Sequence, residues 1–396
     1  MQILLNKSIL STKLFYPYIE DLQLLPKDIL DKVLEDKDFF NKIYQSKRYF
    51  LNQNEVVVIH LGKKEGLSLE TLRRFGSIIV NTAKKNYDTN FDICFDIKKV
   101  SEFKNDMSEE SIFYSLMEGI FLTDYEYDKF KTKKDKKFEI KKINIISDTQ
   151  VNFEKLKEKL DIIKNAIFLT RDLVNAPANV VNINYIEDEA RRVAKDNNLK
   201  ITVINKEQLV KDGFNLLYSV GKAGSEPPRL IELGYSCGKN VPNICLIGKG
   251  IVFDTGGLNL KPENFMSDMK SDMAGAGSVL SLIECISKLK LDVNVTALLP
   301  LAENAIDSNS YRPGDVIFGY NKKSVEILNT DAEGRLILAD ALSYADTKNF
   351  DLIIDFATLT GAAVIALGTK IAVSYFKSDK YKDMIFKSSK KMGEPI

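Results

Sequence analysis

Apolar and polar positions follow two rhythms along this chain, one of short apolar runs and one of helical spacing. The runs at 55–61 (EVVVIHL), 91–97 (FDICFDI) and 140–146 (IKKINII) predict strands, while 67–86 (LSLETLRRFGSIIVNTAKKN) and 110–121 carry the period of helices. That alternation implies a small α/β domain. Residues 153–173 (FEKLKEKLDIIKNAIFLTRDL) predict a further helix, and the breaker-rich VNAPANVVN follows it. Beyond 183 the pattern predicts helix 185–197, strand 200–204, helix 206–211 and an apolar run at 243–247. It continues with helix 269–289, strand 293–299, helix 333–346 and strands 351–356 and 371–375. Strands separated by helix-length segments favour a mixed, mainly parallel sheet flanked by helices on both faces. The expected organisation is a two-domain α/β chain: an N-terminal α/β domain over 1–150, a linker helix within 151–182, and a larger domain over 183–396. Its 396 residues fit that division, since single cores rarely grow beyond roughly 250–300 residues.

Charge narrows the function little. Fifty-six Lys and Arg nearly balance fifty-five Asp and Glu, so no global field favours nucleic acid or an anionic membrane. A lysine-rich run, YDKFKTKKDKKFEIKK, puts eight lysines in 129–142. It is interleaved with Asp128, Asp135, Glu139 and aromatics, which predicts a solvated loop. The N-terminus interrupts its apolar residues with Lys7 and Lys13, unlike a signal peptide, and no run reaches the length of a membrane span. Cys94, Cys237, Cys245 and Cys285 show no C-x-x-C spacing and read as reduced core thiols, which favours a cytoplasmic location.

One histidine changes the picture more. His60 lies in a strand-like apolar run and reads as structural, so histidine-based triads and zinc sites lose their usual residue. Chemistry must then come from carboxylates, Lys and Arg. Two stretches concentrate them: 248–277, GKGIVFDTGGLNLKPENFMSDMKSDMAGAG, and 327–342, ILNTDAEGRLILADAL. Lys249, Asp254, Lys261 and Asp272 stand among glycines in the first. In the second, Asp331, Glu333 and Arg335 follow each other at i, i+2, i+4, which aims them one way if the backbone is extended. The ordinary alternative makes Asp331 a helix N-cap and Glu333 a partner of the helix dipole. Four carboxylates in one pocket repel unless cations neutralise them, and two divalent metals would do so. Oxygen ligation suits magnesium or manganese, and zinc also accepts carboxylates.

NTDAEGRL at 329–336, with the spacing of Lys249, Asp254, Lys261 and Asp272, resembles the leucyl or cytosol aminopeptidases, peptidase family M17. Supporting matches are RDLVNAPAN (171–179), VGKAGSEPPRLIELGY (220–235), RPGDV (312–316), FATLTGA (356–362) and, more weakly, EGIFLTDYEYDKFK (118–131). The resemblance implies a metal-dependent leucyl aminopeptidase that removes N-terminal, leucine-like residues from short peptides. It implies Lys249, Asp254, Asp272, Asp331 and Glu333 as ligands of two divalent ions, zinc or manganese, with magnesium and cobalt as alternatives. Lys261 would stabilise the oxyanion, and Arg335 would hold a bicarbonate ion that acts as general base. Met269, Asn329, Thr358, Leu359 and Gly361 resemble substrate-pocket positions, and Asp272 would also meet the substrate amine. The resemblance also implies a homohexamer if the chain is complete. Where the family pattern continues after KKMGEPI this chain stops, so the catalytic domain is expected to be incomplete at its C-terminus. Two other readings remain beside this one, a catalytically silent oligomerisation or peptide-binding module and a nucleotide or ADP-ribose-type binder. Against the latter, neither phosphate-binding glycine motif is present.

Overall fold

The computed structural model describes residues 1–104, 106–133 and 138–396. Its contacts divide them into two compact units, Met1–Lys164 with Ala362–Ile396, and Asn165–Gly361. The centre of the expected lysine-rich loop, 134–137, lies outside the described residues.

The first unit is built on β1 (Gln2–Asn6), β2 (Lys13–Glu20), β3 (Ser46–Leu51), β4 (Asn54–Lys63), β5 (Asn90–Cys94) and β6 (Lys142–Ile146). They form one sheet in the order β1-β6-β5-β2-β4-β3, parallel throughout except for the β3–β4 hairpin. Both faces are buried. Phe15, Val57 and Ile59 pack with apolar residues of α2 (Leu69–Asn86) and α4 (Glu109–Thr123), whereas their neighbours Leu14, Tyr16, Val56 and Val58 pack with α1 (Lys27–Glu35). The predicted strand 91–97 stops at Cys94 because Asp96 accepts a hydrogen bond from the Lys99 amide and caps α3 (Ile97–Phe103). Helix α5 (Phe153–Asn175) follows as predicted.

His60 is buried, as expected of a structural residue. Its ring nitrogens lie 3.1 Å from Glu20 Oε1 and 3.3 Å from the Lys42 carbonyl, against Tyr18, Phe39 and Phe40. The strand predicted at 371–375 is absent. That segment has no ladder partner among the described residues, and a strand cannot satisfy its amides without one. It lies instead between short helices at Ala362–Leu367 and Lys382–Met392, the latter held by the buried Arg73, which donates to the Met392 carbonyl.

The second unit opens with α6 (Ile183–Asp196), β7 (Lys200–Ile204), α7 (Lys206–Asp212) and α8 (Asn215–Gly221), followed by β8 (Arg229–Tyr235), β9 (Asn243–Gly248) and β10 (Gly250–Asp254). After α9 (Glu263–Met266) come α10 (Ala274–Lys288), β11 (Asn294–Asn304), the small hairpin β12 (Val316–Phe318) and β13 (Ser324–Glu326), α11 (Glu333–Asp346) and β14 (Leu352–Phe356). The main sheet runs β14-β9-β11-β8-β7, with β10 also paired to β11. β14, β9, β11 and β10 are parallel, and β8 and β7 extend the sheet antiparallel. The sheet is therefore mixed and mainly parallel. Cys245, Ile247, Leu298 and Ala302 join the α8 and α11 side chains in one core, while α10 packs against the other side of β9 and β11.

The predicted helix 269–289 is interrupted. Met269–Ser271 form a tight 3₁₀ turn, and the α-helix begins only at Ala274, because Asp272 is drawn into side-chain contacts described below. Asp340, fully buried on α11, accepts the amides of Leu216 at 2.9 Å, Leu217 at 3.0 Å and Tyr320 at 2.8 Å, fixing α8 and the end of the hairpin. Burial raises its pKa to about 6 against the lowering pull of those amides. Asp340→Asn would turn an amide NH₂ toward at least one of these donors. The expected loss is roughly 1–3 kcal/mol, read as a lower urea midpoint with an unchanged slope.

Candidate active site

Four parallel strands deliver four polar residues at their carboxyl ends: Lys249 follows β9, Asp254 ends β10, Asn304 ends β11 and Thr358 lies two residues beyond β14. Strand ends are where α/β sheets commonly bind ligands. Asp272, just before α10, and Glu333, the first residue of α11, complete the group. The extended arrangement predicted for 331–335 does not occur. Thr330–Ala332 form a 3₁₀ turn that leads into α11, so Glu333 is buried while Asp331 and Arg335 face outward. Nor is Asp331 the cap: Asn329 caps the turn by accepting the Asp331 amide at 2.8 Å.

Two lysines pair with the carboxylates. Lys249 Nζ lies 2.8 Å from Asp272 Oδ1, 2.9 Å from Glu333 Oε1 and 3.2 Å from the Thr358 carbonyl. Lys261 Nζ lies 2.9 Å from Asp254 Oδ2 and 2.5 Å from Asp331 Oδ1. Burial by itself would lower both lysine pKa values, but the carboxylates outweigh it and hold both above the ordinary range. Burial pushes Asp272 up to about 7, Lys249 opposes that rise, and Glu333 adds to it. Four carboxylates facing two ammonium groups leave an excess of negative charge.

The backbone is shaped to this contact. Gly334 lets α11 start against Lys249, since a Cβ there would stand 2.5 Å from Lys249 Cε. Gly256 and Gly257 take φ of +86° and +64°, turning the loop after Asp254 so that Lys261 returns to it.

Sequence reasoning missed a scaffold of neutral polar groups. Asn304 pairs in register with Asp254 and donates to its Oδ1 at 2.8 Å and to the Thr330 carbonyl at 3.1 Å. Tyr311 donates to the same carbonyl at 2.6 Å. Asn259 and Thr330 bond to each other twice more, tying the Lys261 loop to the start of α11. A polar residue closing the apolar run of β11 was the available signal for Asn304.

Asp254, Asp272 and Glu333 offer ligand atoms that all lie within 4.8 Å of one another, and all three are buried. Glu333 Oε2 and Asn304 Oδ1 are buried without a hydrogen-bond partner. Unsatisfied buried oxygens of this kind are costly, and a hard cation satisfies them. The group therefore fits a metal ion. Asp331 reaches it through Lys261. Thr358 donates to Asp272 Oδ1 at 2.7 Å. Met269 is half-buried on the 3₁₀ turn, while Asn329, Leu359 and Gly361 are exposed. Arg335 is exposed on α11 with no ion pair among the described residues.

The profile of the cytosol aminopeptidase family catalytic domain matches residues 168–396, and that of the family's N-terminal domain matches 20–134. The chain belongs to the cytosol aminopeptidase family. Membership makes it a hydrolase of the aminopeptidase class. A probable cytosol aminopeptidase of Aquifex aeolicus is 40% identical over 343 residues, covering 86% of this chain and 67% of the relative. One from Chlamydia abortus is 37% identical over 376 residues, covering 93% and 73%. Among solved structures, the cytosol aminopeptidase from Coxiella burnetii superposes with TM-score 0.80 at 29% identity, covering 99% of this chain and 80% of that one. The bottromycin maturation enzyme BotP in complex with Mn gives TM-score 0.83 at 26% identity, covering 97% and 80%. Among the described residues, no helix is long and apolar enough to cross a membrane.

The raised pKa of Asp272 sets a pH dependence in the metal-free protein. A carboxyl that binds its proton more tightly folded than unfolded stabilises the fold below its unfolded pKa. That contribution fades as the pH rises through its folded pKa, here about 7. In chelated protein, Asp272→Asn should therefore shrink the fall in urea midpoint between about pH 5 and about pH 8. An equal or larger fall in the variant would contradict this.

Proposed function

We propose that this chain is a binuclear metal-dependent aminopeptidase that removes leucine-like N-terminal residues from short peptides, with 183–396 as its catalytic domain. The observation that carries the reading is the buried convergence of Lys249, Asp254, Asp272 and Glu333, with Asp331 reached through Lys261. Those five residues are the proposed ligands, and four carboxylates carry the charge that two dications neutralise. Divalent ions held there supply Lewis acidity toward a carbonyl and lower the pKa of water. The neighbour solved with manganese supports manganese, and zinc suits the same donors.

The chain's own residues do the rest. Lys261 lies beside Asp331 and Asp254 and is less deeply buried than Lys249, which suits it to act as a cation that stabilises an oxyanion. Arg335, exposed and without an ion pair among the described residues, lies two residues beyond Glu333 and suits an anion such as bicarbonate. Asp272 offers a carboxylate to a substrate ammonium. Met269 and Leu359 supply apolar surface, while Thr358, Gly361 and Asn329 provide polar and backbone contacts for a short peptide.

Two measurements test the reading. Calorimetric titration of chelated protein with Mn²⁺ or Zn²⁺ should give two equivalents bound. A folded chain that binds none would refute the metal-dependent mechanism. Lys261→Ala should keep the metals and lower kcat on a leucyl peptide by roughly 10²-fold or more, and Arg335→Ala should also keep them with reduced turnover. Asp331→Ala should weaken metal binding itself. Loss of metal from Lys261→Ala with retention in Asp331→Ala would reverse the assigned roles.

A further inference from the structure

Within the second unit, beside the carboxylate group, lies a cavity of about 490 Å³ lined by Lys206, Tyr218, Lys222, Leu258, residues 307–310 and Arg312. Its volume is in the range of ligand pockets, but its lining is polar. Three cations face it. Lys206 and Lys222 have no ion-pair partner among the described residues, and Arg312 leans on Asp315 at 3.6 Å from a largely exposed position. The cavity's one carboxylate, Asp307, accepts the amide of its lining neighbour Asn309 at 2.6 Å and the Asn309 side chain at 3.2 Å, and the three cations outnumber it. Hydroxyls of Tyr218 and Ser308 add neutral hydrogen-bonding capacity, whereas the Ser310 hydroxyl accepts the Asp307 amide at 2.8 Å and donates to the Ala305 carbonyl at 3.2 Å.

Two walls of this cavity also carry the active-site scaffold. Leu258 lies on the loop between Asp254 and Lys261, next to Gly257, whose backbone packs against Thr330 and Asn304. Ser310 and Arg312 flank Tyr311, whose hydroxyl donates to the Thr330 carbonyl that Asn304 also holds. An occupant of the cavity would therefore touch the loops that position Asp254 and Lys261.

We propose that this cavity is an oxyanion-binding subsite, recognising a carboxylate or phosphate through Lys206, Lys222 and Arg312. A cavity in which cations outnumber carboxylates, with hydroxyls beside them, recognises anions by charge and hydrogen bonding together. Two sources share this chemistry, the free C-terminal carboxylate of a peptide substrate and a free inorganic anion. The first rests on the peptidase reading above, and the second does not.

The test compares the full chain with its Lys206→Gln/Lys222→Gln variant, which leaves the carboxylate group untouched. Calorimetry with inorganic phosphate on chelated protein should show binding that the variant weakens by roughly tenfold, the scale of losing two exposed charge contacts. In metal-loaded protein, leucyl di- and tripeptides should have KM values several-fold below those of their C-terminal amides. The variant should abolish that difference while leaving kcat on the amides unchanged. Phosphate binding without acid–amide discrimination assigns the subsite to a free anion, and discrimination lost in the variant assigns it to the substrate carboxylate. Equal phosphate affinity in both proteins, together with no acid–amide difference, would overturn the proposal. Phosphate binding needs no turnover, so an inactive chain that still binds it would sink the peptidase reading and leave the subsite standing.

Discussion

The second unit depends on one electrostatic constraint: buried carboxylates gathered at the carboxyl ends of parallel strands. Burying an ionised carboxylate without a partner costs several kcal/mol, so the group can exist only where cations stand against it. Lys249 and Lys261 meet that need in pairs, Lys249 between Asp272 and Glu333 and Lys261 between Asp254 and Asp331. Much of the local backbone follows from those contacts. The start of α10 is delayed to Ala274 because Asp272 faces Lys249 and Thr358 rather than continuing a helix. Helix α11 begins at Glu333 with a glycine behind it because Lys249 occupies the space where a side chain would stand.

Neutral groups then make the charged geometry rigid. Thr330 is the junction: its carbonyl accepts from Asn304 and Tyr311, and its hydroxyl donates to the Gly256 carbonyl. The loop bearing Lys261, the end of β11 and the entry to α11 therefore share one hydrogen-bonded centre. Displacing any of the three would disturb the other two. This shared centre also makes the cavity at Lys206 and Lys222 relevant to the carboxylates, because Leu258, Ser310 and Arg312 line the cavity and sit on the loops that the centre holds.

What the sequence made legible divides along physical lines. Helix α11 matches its predicted range of 333–346, since a strong apolar period begins where the charged motif ends. The charged residues stood out because buried-type glycine-rich segments seldom carry so many ionisable groups. Asn304, Thr330, Asn259 and Tyr311 were not legible, because they act by hydrogen bonds to residues remote in the chain, and one polar residue beside an apolar strand has no distinctive pattern. The strands before residue 54 escaped for a different reason. β2 is buried on both faces, so KLFYPYIE lacks the alternation that marks a half-exposed strand. The antiparallel pairing of β8 with β11 and β7 could not be read either, since strand direction is set by pairing and not by local sequence. The strand wrongly expected at 371–375 shows the converse: apolar composition without a partner edge does not make a strand.

Lys249 exposes a tension that the proposed metal chemistry must resolve. With Asp272 and Glu333 as its nearest charges, its amine holds its proton more tightly than a free lysine, and a protonated amine has no lone pair to give a cation. The same two carboxylates are proposed ligands. Once divalent ions draw their charge, the influence raising the lysine pKa is cancelled and the ions add a repulsion of their own. Burial and that repulsion would then both favour the neutral amine. The geometry that fixes an ammonium ion between two carboxylates in the absence of metal would thus leave a neutral nitrogen beside those same oxygens if the proposed ions were bound. Binding and deprotonation would then be one equilibrium, and metal affinity would inherit the proton affinity of Lys249. A lysine fits this position better than arginine for that reason: its charge can be removed, whereas a guanidinium would remain a permanent competitor for the carboxylates.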